Sequence, residues 1–210
     1  MTQKPKFLTP NNLTFARLVM AAAVFAPMAF YNPVEHNASL LDLAAALFLI
    51  ATLTDVVDGY IARRFQMQSS LGRLLDPFVD KVLVIGAFIF LAGANFHVGG
   101  KNLTSLTPWM IVLIISRELL VTSLRGVSEA QGVAFAATVY GKVKMFLQSA
   151  CIIVILISVA HFRDVRWADI VRLVMVWTTV IYTVLSMIAY ISRYIALSRL
   201  TREATGDRGR

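Results

Sequence analysis

Four aspartates lie close together in the sequence, at positions 55, 58, 76 and 80, within a stretch that is otherwise largely apolar. A carboxylate beside hydrocarbon is costly unless it is paired or bound to a metal. Ligands that offer only oxygen select hard divalent cations such as Mg²⁺, Mn²⁺ or Ca²⁺. Four carboxylates could hold two ions about 3.5–4 Å apart, the arrangement that clamps a phosphoryl group during in-line displacement. The sequence therefore predicts a divalent-metal site.

Small and basic residues accompany the aspartates. The pattern reads Asp55-x2-Asp58-Gly59-x2-Ala62-Arg63, then eight residues, then Gly72-x3-Asp76-x3-Asp80. Small side chains allow a phosphate or a nucleotide to approach the backbone closely, and an arginine offers a forked donor to phosphate oxygens. Solvated carboxylates paired with arginines are the alternative for any single aspartate, but they do not explain the whole pattern. The pattern therefore favours a phosphate-containing substrate beside the metals.

The composition predicts the elements that must position these residues. Hydrophobic residues make up 58% of the 210 residues, and the mean hydropathy is +0.70, which excludes an ordinary soluble globular protein. Crossing ~30 Å of hydrocarbon takes about 20 helical residues. Six apolar runs approach or exceed that length: 13–31, 40–63, 74–95, 106–126, 143–160 and 168–196. Because a lipid-exposed backbone must satisfy its hydrogen bonds internally, we expect an all-α integral membrane protein with six transmembrane helices.

The predicted helices divide the chain into three parts. Residues 1–12 form a short amphipathic segment on the membrane surface, residues 13–196 form the six-helix membrane domain, and residues 197–210 form a charged tail. No repeat and no soluble domain is expected.

The net charge of +8 is explained by its placement along the chain. Lys101, Arg163 and Arg166 are the basic residues of the loops on one side of the predicted membrane, and most of the others fall on the opposite side. The positive-inside rule then predicts that both termini and the aspartates lie on the cytoplasmic side. The positive charge therefore reflects topology and attraction to anionic lipid, and no nucleic-acid partner is expected.

Helical spacing predicts how the aspartates are arranged. Residues three and four apart share a helix face, so Asp55 and Asp58 should be neighbours on the second helix, as should Asp76 and Asp80 on the third. The connection 64–72 is short, and the two helices are therefore expected to be antiparallel neighbours. Both carboxylate pairs would then lie at one depth.

A second group of charged residues predicts a site for another phosphate. Arg117 and Glu118 lie inside the fourth apolar run, Arg125 follows about two turns later, and the fifth run opens with Lys142 and Lys144. An arginine this far into a span should line a wet cavity or meet an anion. A buried pair with Glu118 is the alternative role for Arg117, and anchoring at the membrane edge is the alternative for the two lysines. Together these residues favour an acceptor that is itself phosphorylated.

The stretch 55–80 resembles the signature of the CDP-alcohol phosphotransferase family, D-x2-D-G-x2-A-R-x8-9-G-x3-D-x3-D, with every defined position present. The resemblance implies a six-helix enzyme, usually a homodimer, whose active site faces the cytoplasm. It also implies that Asp55, Asp58 and Asp76 bind two divalent ions, Mg²⁺ or alternatively Mn²⁺, and that Asp80 contributes to metal binding and acts as the general base. The residues that would contact the CDP moiety are Thr54, Asp55, Gly59, Ala62, Arg63 and Gly72.

Further segments resemble the branch of this family whose acceptor is glycerol 3-phosphate. They are the start Pro10–Arg17, the segment S-R-E…L-R at 116–125, and G-K-x-K-x3-Q at 141–148, where Met145 stands in place of the usual threonine. The resemblance implies transfer of a phosphatidyl group from CDP-diacylglycerol to glycerol 3-phosphate at the cytoplasmic (inner) membrane. The residues expected to hold the acceptor phosphate are Arg117, Arg125, Lys142 and Lys144.

Other functions remain open at the level of the sequence. The same donor chemistry could serve another acceptor, namely inositol phosphate, serine or phosphatidylglycerol. A divalent-cation transporter would need polar residues that continue across the bilayer, whereas the segments 43–53 and 82–92 are apolar. A purely structural membrane anchor would leave the aspartates unexplained.

Overall fold

The computed structural model describes the backbone of residues 10–65, 70–130 and 139–206, and the side chains of residues 15–54, 81–128 and 141–197. Within these residues the chain forms six α-helices, which confirms the all-α prediction. They are α1 (Pro10–Phe30), α2 (Ala38–Phe65), α3 (Ser70–Leu91), α4 (Pro108–Ala130), α5 (Val139–His161) and α6 (Arg166–Gly206). Between α3 and α4 lie a 3₁₀ turn (Ala94–Phe96) and two short strands, β1 (His97–Val98) and β2 (Lys101–Asn102).

Each predicted apolar run corresponds to one helix, and most helix ends agree with the prediction to about one helical turn. Helix α1 begins at Pro10, inside the predicted surface segment, in keeping with the preference of proline for the first helical position. Helix α6 continues to Gly206 and so takes up most of the predicted tail. The charged residues after position 197 extend this last helix.

Within the part of the chain whose side chains are described, two helices contain segments that are long and apolar enough to cross a membrane. They are Gly141–His161 in α5 and Arg166–Leu197 in α6. Shorter apolar segments lie in the first three helices: Phe15–Phe30, Ala38–Thr54 and Lys81–Leu91. Large apolar side chains also cover the outside of the described bundle, among them Phe30, Val112 and Phe146, of which 77%, 60% and 76% are exposed. Such a surface suits contact with lipid.

Three connections between helices lie at the same end of the bundle. Arg163, between α5 and α6, donates from Nη1 to the main-chain oxygen of Pro33, between α1 and α2, at 2.6 Å. Lys101, between α3 and α4, pairs with Asp169 at the start of α6, with 3.0 Å between Nζ and Oδ2. We call this the hairpin end, after β1 and β2. The opposite end, where α2 finishes and α3 begins, is called the aspartate end.

All three histidines lie at the hairpin end. His161 Nε2 is 2.8 Å from Asp42 Oδ1, and His36 Nδ1 is 3.3 Å from the hydroxyl of Tyr31. His97 belongs to β1. The helices that carry the four aspartates run between this end and the aspartate end, so several helical turns separate the histidines from the aspartate positions.

A β-hairpin lies between α3 and α4, where the sequence predicts a loop. Strand β1 pairs with β2 in antiparallel fashion, with Val98 opposite Lys101. Gly99 and Gly100 form the two-residue turn with φ of 55° and 81°. Positive φ at both turn positions matches the twist of the flanking strands and favours glycine, so the Gly-Gly pair is the sequence signal for this hairpin.

Helix α5 lies against α2, α3 and α6 and supplies much of the buried apolar core. Its fully buried side chains are Cys151, Ile152, Ile155, Leu156 and Val159. Helix α3 also packs closely on α1. A Cβ atom at Gly86 would lie 2.3 Å from the ring of Phe25, so only glycine allows the two helices to approach this closely. This contact fixes the position of the helix that carries Asp76 and Asp80.

Candidate active site

The four aspartates occupy the helical positions that the spacing predicts. Asp55 and Asp58 lie on the last turns of α2, and Asp76 and Asp80 lie on the first half of α3. The backbone therefore brings both pairs to the aspartate end. The side chains of residues 55–80 are outside those described, and the geometry of the carboxylates stays a prediction. The same holds for the predicted site residues Gly59, Ala62, Arg63 and Gly72.

Thr54 is the predicted CDP contact whose side chain the structure describes. Its hydroxyl donates to the main-chain oxygen of Ile50 at 2.8 Å. This bond uses the single hydroxyl proton, so only the lone pairs of the oxygen remain for a ligand. The role of Thr54 therefore stays a prediction.

A buried group of charged side chains joins three helices on the aspartate side of the core. Arg117 and Glu118 of α4 and Lys144 of α5 are 3%, 7% and 6% exposed. Glu118 Oε1 accepts a hydrogen bond from Arg117 Nη1 at 3.1 Å and another from Lys144 Nζ. Arg117 Nε donates to Ser186 Oγ of α6 at 3.1 Å. We call Arg117, Glu118 and Lys144 the charged cluster.

The guanidinium of Arg117 is held in one orientation from two sides. Its Cζ atom lies 5.3 Å from the ring centroid of Tyr190, a cation–π contact. Ser186, which accepts from Arg117, donates its own proton to the main-chain oxygen of Thr183 at 2.9 Å. These contacts with α6 therefore fix the orientation of the Arg117 guanidinium.

The charged cluster is also connected to α3. Lys81 Nζ donates to the main-chain oxygen of Glu118 at 3.3 Å and to the hydroxyl of Thr122. Thr122 donates in turn to the same main-chain oxygen at 2.8 Å. Because Lys81 directly follows Asp80, these bonds restrict the rotation of α3 next to the predicted base.

The electrostatics of the charged cluster favour an anion. It holds two cations and one carboxylate in surroundings that exclude water, and a buried charge without compensation is costly. Arg117 Nη2 is buried and has no hydrogen-bond partner among the described side chains. A phosphate oxygen is the partner that a guanidinium prefers.

The four predicted acceptor residues are thus divided between two environments. Arg117 and Lys144 both form ion pairs with Glu118. The Arg117–Glu118 pair, which the sequence predicts as an alternative role for Arg117, is therefore present. The side chains of Arg125 and Lys142 are exposed on α4 and α5. Their part in binding stays a prediction.

Sequence reasoning missed the residues that surround Arg117. Ser186 and Tyr190 belong to α6, far from Arg117 in the chain, and Thr183 precedes Ser186 by one turn. A row of hydroxyl side chains at three- and four-residue spacing in an apolar helix was the available signal: Thr179, Thr183 and Ser186 are all buried. Such a row predicts a polar helix face but does not identify its partner.

Comparison with known proteins gives a consistent result over nearly the whole chain. The family model described as CDP-alcohol phosphatidyltransferase matches residues 7–200. A Bacillus subtilis protein is 34% identical over 202 residues, covering 89% of this chain and 95% of the relative. Proteins from Rickettsia felis and Blochmanniella floridana are 30% and 32% identical, covering 86% and 88% of this chain and 92% and 90% of the relatives. All three relatives are named CDP-diacylglycerol–glycerol-3-phosphate 3-phosphatidyltransferase.

Proposed function

This chain belongs to the CDP-alcohol phosphatidyltransferase family, and we propose that it transfers a phosphatidyl group from CDP-diacylglycerol to sn-glycerol 3-phosphate. The products are phosphatidylglycerol phosphate and CMP, so the reaction is a step of phospholipid biosynthesis. The names of the similar proteins support both substrates. The observation that carries the choice of acceptor is the buried charged cluster, because a phosphorylated alcohol supplies the anion that this cluster favours.

The carboxylates of Asp55, Asp58, Asp76 and Asp80 fit a divalent metal, since they are oxygen ligands brought to one end of the bundle by two helices joined by a four-residue connection. Mg²⁺ is the proposed ion, with two ions per site and Mn²⁺ as the alternative. When bound, the metal neutralises the pyrophosphate of the donor and the charge that develops on the departing CMP.

The side chains of the protein supply the remaining chemistry. Asp80 accepts the proton of the acceptor's 1-hydroxyl. The hydroxyl oxygen then forms a bond to the phosphorus that carries diacylglycerol, and the bond from that phosphorus to the CMP oxygen breaks in line. Arg117 and Lys144 hold the acceptor phosphate, with Arg125 and Lys142 as outer contacts. The backbone at Gly59 and Ala62 and the side chain of Arg63 hold the CDP moiety.

The proposed setting is the cytoplasmic (inner) membrane, with six spans, both termini and the active site on the cytoplasmic side, and a homodimer as the functional unit. The apolar helices support the membrane setting. The charge distribution supports the orientation. Lys101, Arg163 and Arg166 lie in or directly next to the connections at the hairpin end, and most other basic residues belong to segments toward the aspartate end. The dimer rests on the resemblance to the family.

The test is an acceptor panel with the purified protein in detergent, CDP-diacylglycerol and Mg²⁺. We expect CMP release and a phosphatidylglycerol phosphate product with glycerol 3-phosphate, and neither with serine or phosphatidylglycerol. Faster turnover with inositol phosphate would mean that inositol phosphate is the acceptor, and the proposed phosphate-binding site would still be supported. Turnover with unphosphorylated serine alone would overturn the proposal.

A further inference from the structure

Two neutral side chains near the charged cluster each carry a polar atom with no hydrogen-bond partner among the described residues. Gln148 of α5 and Thr183 of α6 are 2% and 1% exposed. The Nε2 atom of Gln148 and the Oγ1 atom of Thr183 are buried without a partner among the described side chains. Buried polar groups are nearly always hydrogen-bonded in folded proteins, so this pair requires an explanation.

The unpaired hydroxyl of Thr183 departs from the behaviour of the other helical threonines. Thr52, Thr122, Thr178 and Thr179 each donate to the main-chain oxygen four residues earlier, at 2.7–2.8 Å. That bond satisfies a threonine hydroxyl within its own helix. Thr183 makes no such bond among the described residues, so its proton is available to another acceptor.

The packing of α5 against α6 brings the two unpaired groups to one level. The two helices pack against each other and run in opposite directions, because the short connection between them lies at the hairpin end. The side chain of Cys151 in α5 interacts with that of Thr179 in α6. From this pair toward the aspartate end, Gln148 lies about one turn along α5 and Thr183 about one turn along α6, so the two residues are at about the same level.

The next turn in the same direction reaches the charged cluster. Lys144 lies one turn beyond Gln148, and Ser186 lies one turn beyond Thr183. Arg117 donates a hydrogen bond to Ser186, and both Arg117 and Lys144 bond to Glu118. The charged cluster therefore lies about one helical turn beyond Gln148 and Thr183, measured along α5 and α6. Arg117 Nη2, Gln148 Nε2 and Thr183 Oγ1 are all buried without a hydrogen-bond partner among the described residues.

We propose that Gln148 and Thr183 complete the acceptor site and donate, together with Arg117, to the phosphate of a small phosphorylated alcohol. This inference rests on the proposed function and deepens it. An anion with several acceptor oxygens can satisfy three donors from three helices at once. An alcohol without a phosphate leaves these donors unpaired, so Gln148 and Thr183 select for a phosphate monoester.

The test compares Gln148→Leu and Thr183→Val with wild-type protein in steady-state kinetics. We expect the KM for glycerol 3-phosphate to rise about tenfold in each variant, since each loses one hydrogen bond to a charged group. The KM for CDP-diacylglycerol should not change. Thr179→Val is the matched control: its hydroxyl is buried in the same helix but already bonded to Met175, and its kinetics should equal those of wild type.

A binding measurement separates this inference from the proposed function. Glycerol 3-phosphate and, separately, inorganic phosphate should raise the thermal midpoint of the detergent-solubilised wild-type protein, and should raise that of Thr183→Val much less. Valine has nearly the shape of threonine, so Thr183→Val gives an answer even where Gln148→Leu does not fold.

Two results overturn the inference. The first is an active wild type and a Thr183→Val variant whose KM values for glycerol 3-phosphate differ by less than about twofold. Loss of one hydrogen bond to a charged group would produce a larger difference. The second is equal stabilisation of wild type and Thr183→Val by phosphate. A wild type that is inactive with glycerol 3-phosphate but stabilised by phosphate through Thr183 would instead overturn the proposed function and support this site.

Discussion

Glu118 Oε1 is shared between Arg117 of its own helix and Lys144 of α5. In a buried site, removing one member of such a group leaves the other charges without a counter-charge. The resulting loss of folding free energy is larger than the net contribution of the intact ion pair. The same carboxylate reduces the positive charge that a phosphate meets. Glu118 is thus expected to act on stability and on the position of the two cations, without itself touching the substrate.

Replacement of Glu118 by glutamine should therefore destabilise the protein. We expect Glu118→Gln to lower the free energy of unfolding by about 3 kcal/mol, because two buried cations lose their counter-charge. Thermal unfolding in detergent measures this effect. Glu35→Gln is the control, since Glu35 is exposed in the connection between α1 and α2. Equal thermal midpoints for the two variants would contradict the role assigned to Glu118.

The base assignment is also tested at a single residue. Asp80→Asn should reduce turnover by about 10²–10⁴-fold, the typical contribution of a positioned general base, and should leave binding of CDP-diacylglycerol largely intact. CMP release measures turnover, and equilibrium binding of the donor lipid measures the second property. Asp42→Asn is the control, because Asp42 pairs with His161 at the hairpin end. Near-normal activity of Asp80→Asn would show that another group removes the proton.

At the scale of the elements, α3 is held at two points on its length. Gly86 lies against Phe25 of α1, and Lys81 bonds to α4 at Glu118 and Thr122. Both contacts lie just beyond the aspartates in the chain. The position of Asp80 therefore depends on how α3 packs against its two neighbours.

The contact at Gly86 gives a prediction with an internal comparison. Gly86→Ala should lower stability by about 1–3 kcal/mol, because the added methyl group overpacks the ring of Phe25. Gly126→Ala in α4 should leave stability unchanged or raise it by up to about 1 kcal/mol, because its Cβ meets nothing within 4 Å and alanine is the better helix former. Thermal unfolding of both variants checks this. The reverse order of stability would show that α1 and α3 are further apart than described.

The sequence predicted the helices well, because long apolar runs without strand-like alternation favour helices. The structure differs from the prediction at two places. Helix α6 continues to Gly206 through polar residues that carry no apolar signal. A hairpin occupies 97–102, where the sequence predicts a loop, although its Gly-Gly pair is a hairpin signal.

The candidate site could also be predicted only in part from the sequence. The spacing of the aspartates could be read directly, since residues three and four apart share a helix face. Glu118 bonds to both Arg117 and Lys144, and Gln148 and Thr183 lie at about the same level. Both arrangements depend on how α4, α5 and α6 pack together. No local pattern contains that information.

At the scale of the whole molecule, the arrangement of the two ends makes the membrane orientation testable. We expect Lys101→Cys, at the hairpin end, to react with an impermeant maleimide added to intact cells, and Arg199→Cys, near the end of α6, to react only after permeabilisation. The native Cys151 is fully buried and should give little background. The opposite labelling pattern would place the aspartate end outside the cytoplasm.

The bond between Arg117 and Ser186 joins residues 69 positions apart, and this has a consequence for biosynthesis. Domains form from the amino terminus as the ribosome proceeds, so a growing chain contains all four aspartates long before Ser186 has been translated. During that interval Arg117 and Glu118 lack the helix that later orients Arg117. A chain that stops before α6 would therefore contain every residue of the family signature and still lack part of the proposed acceptor site.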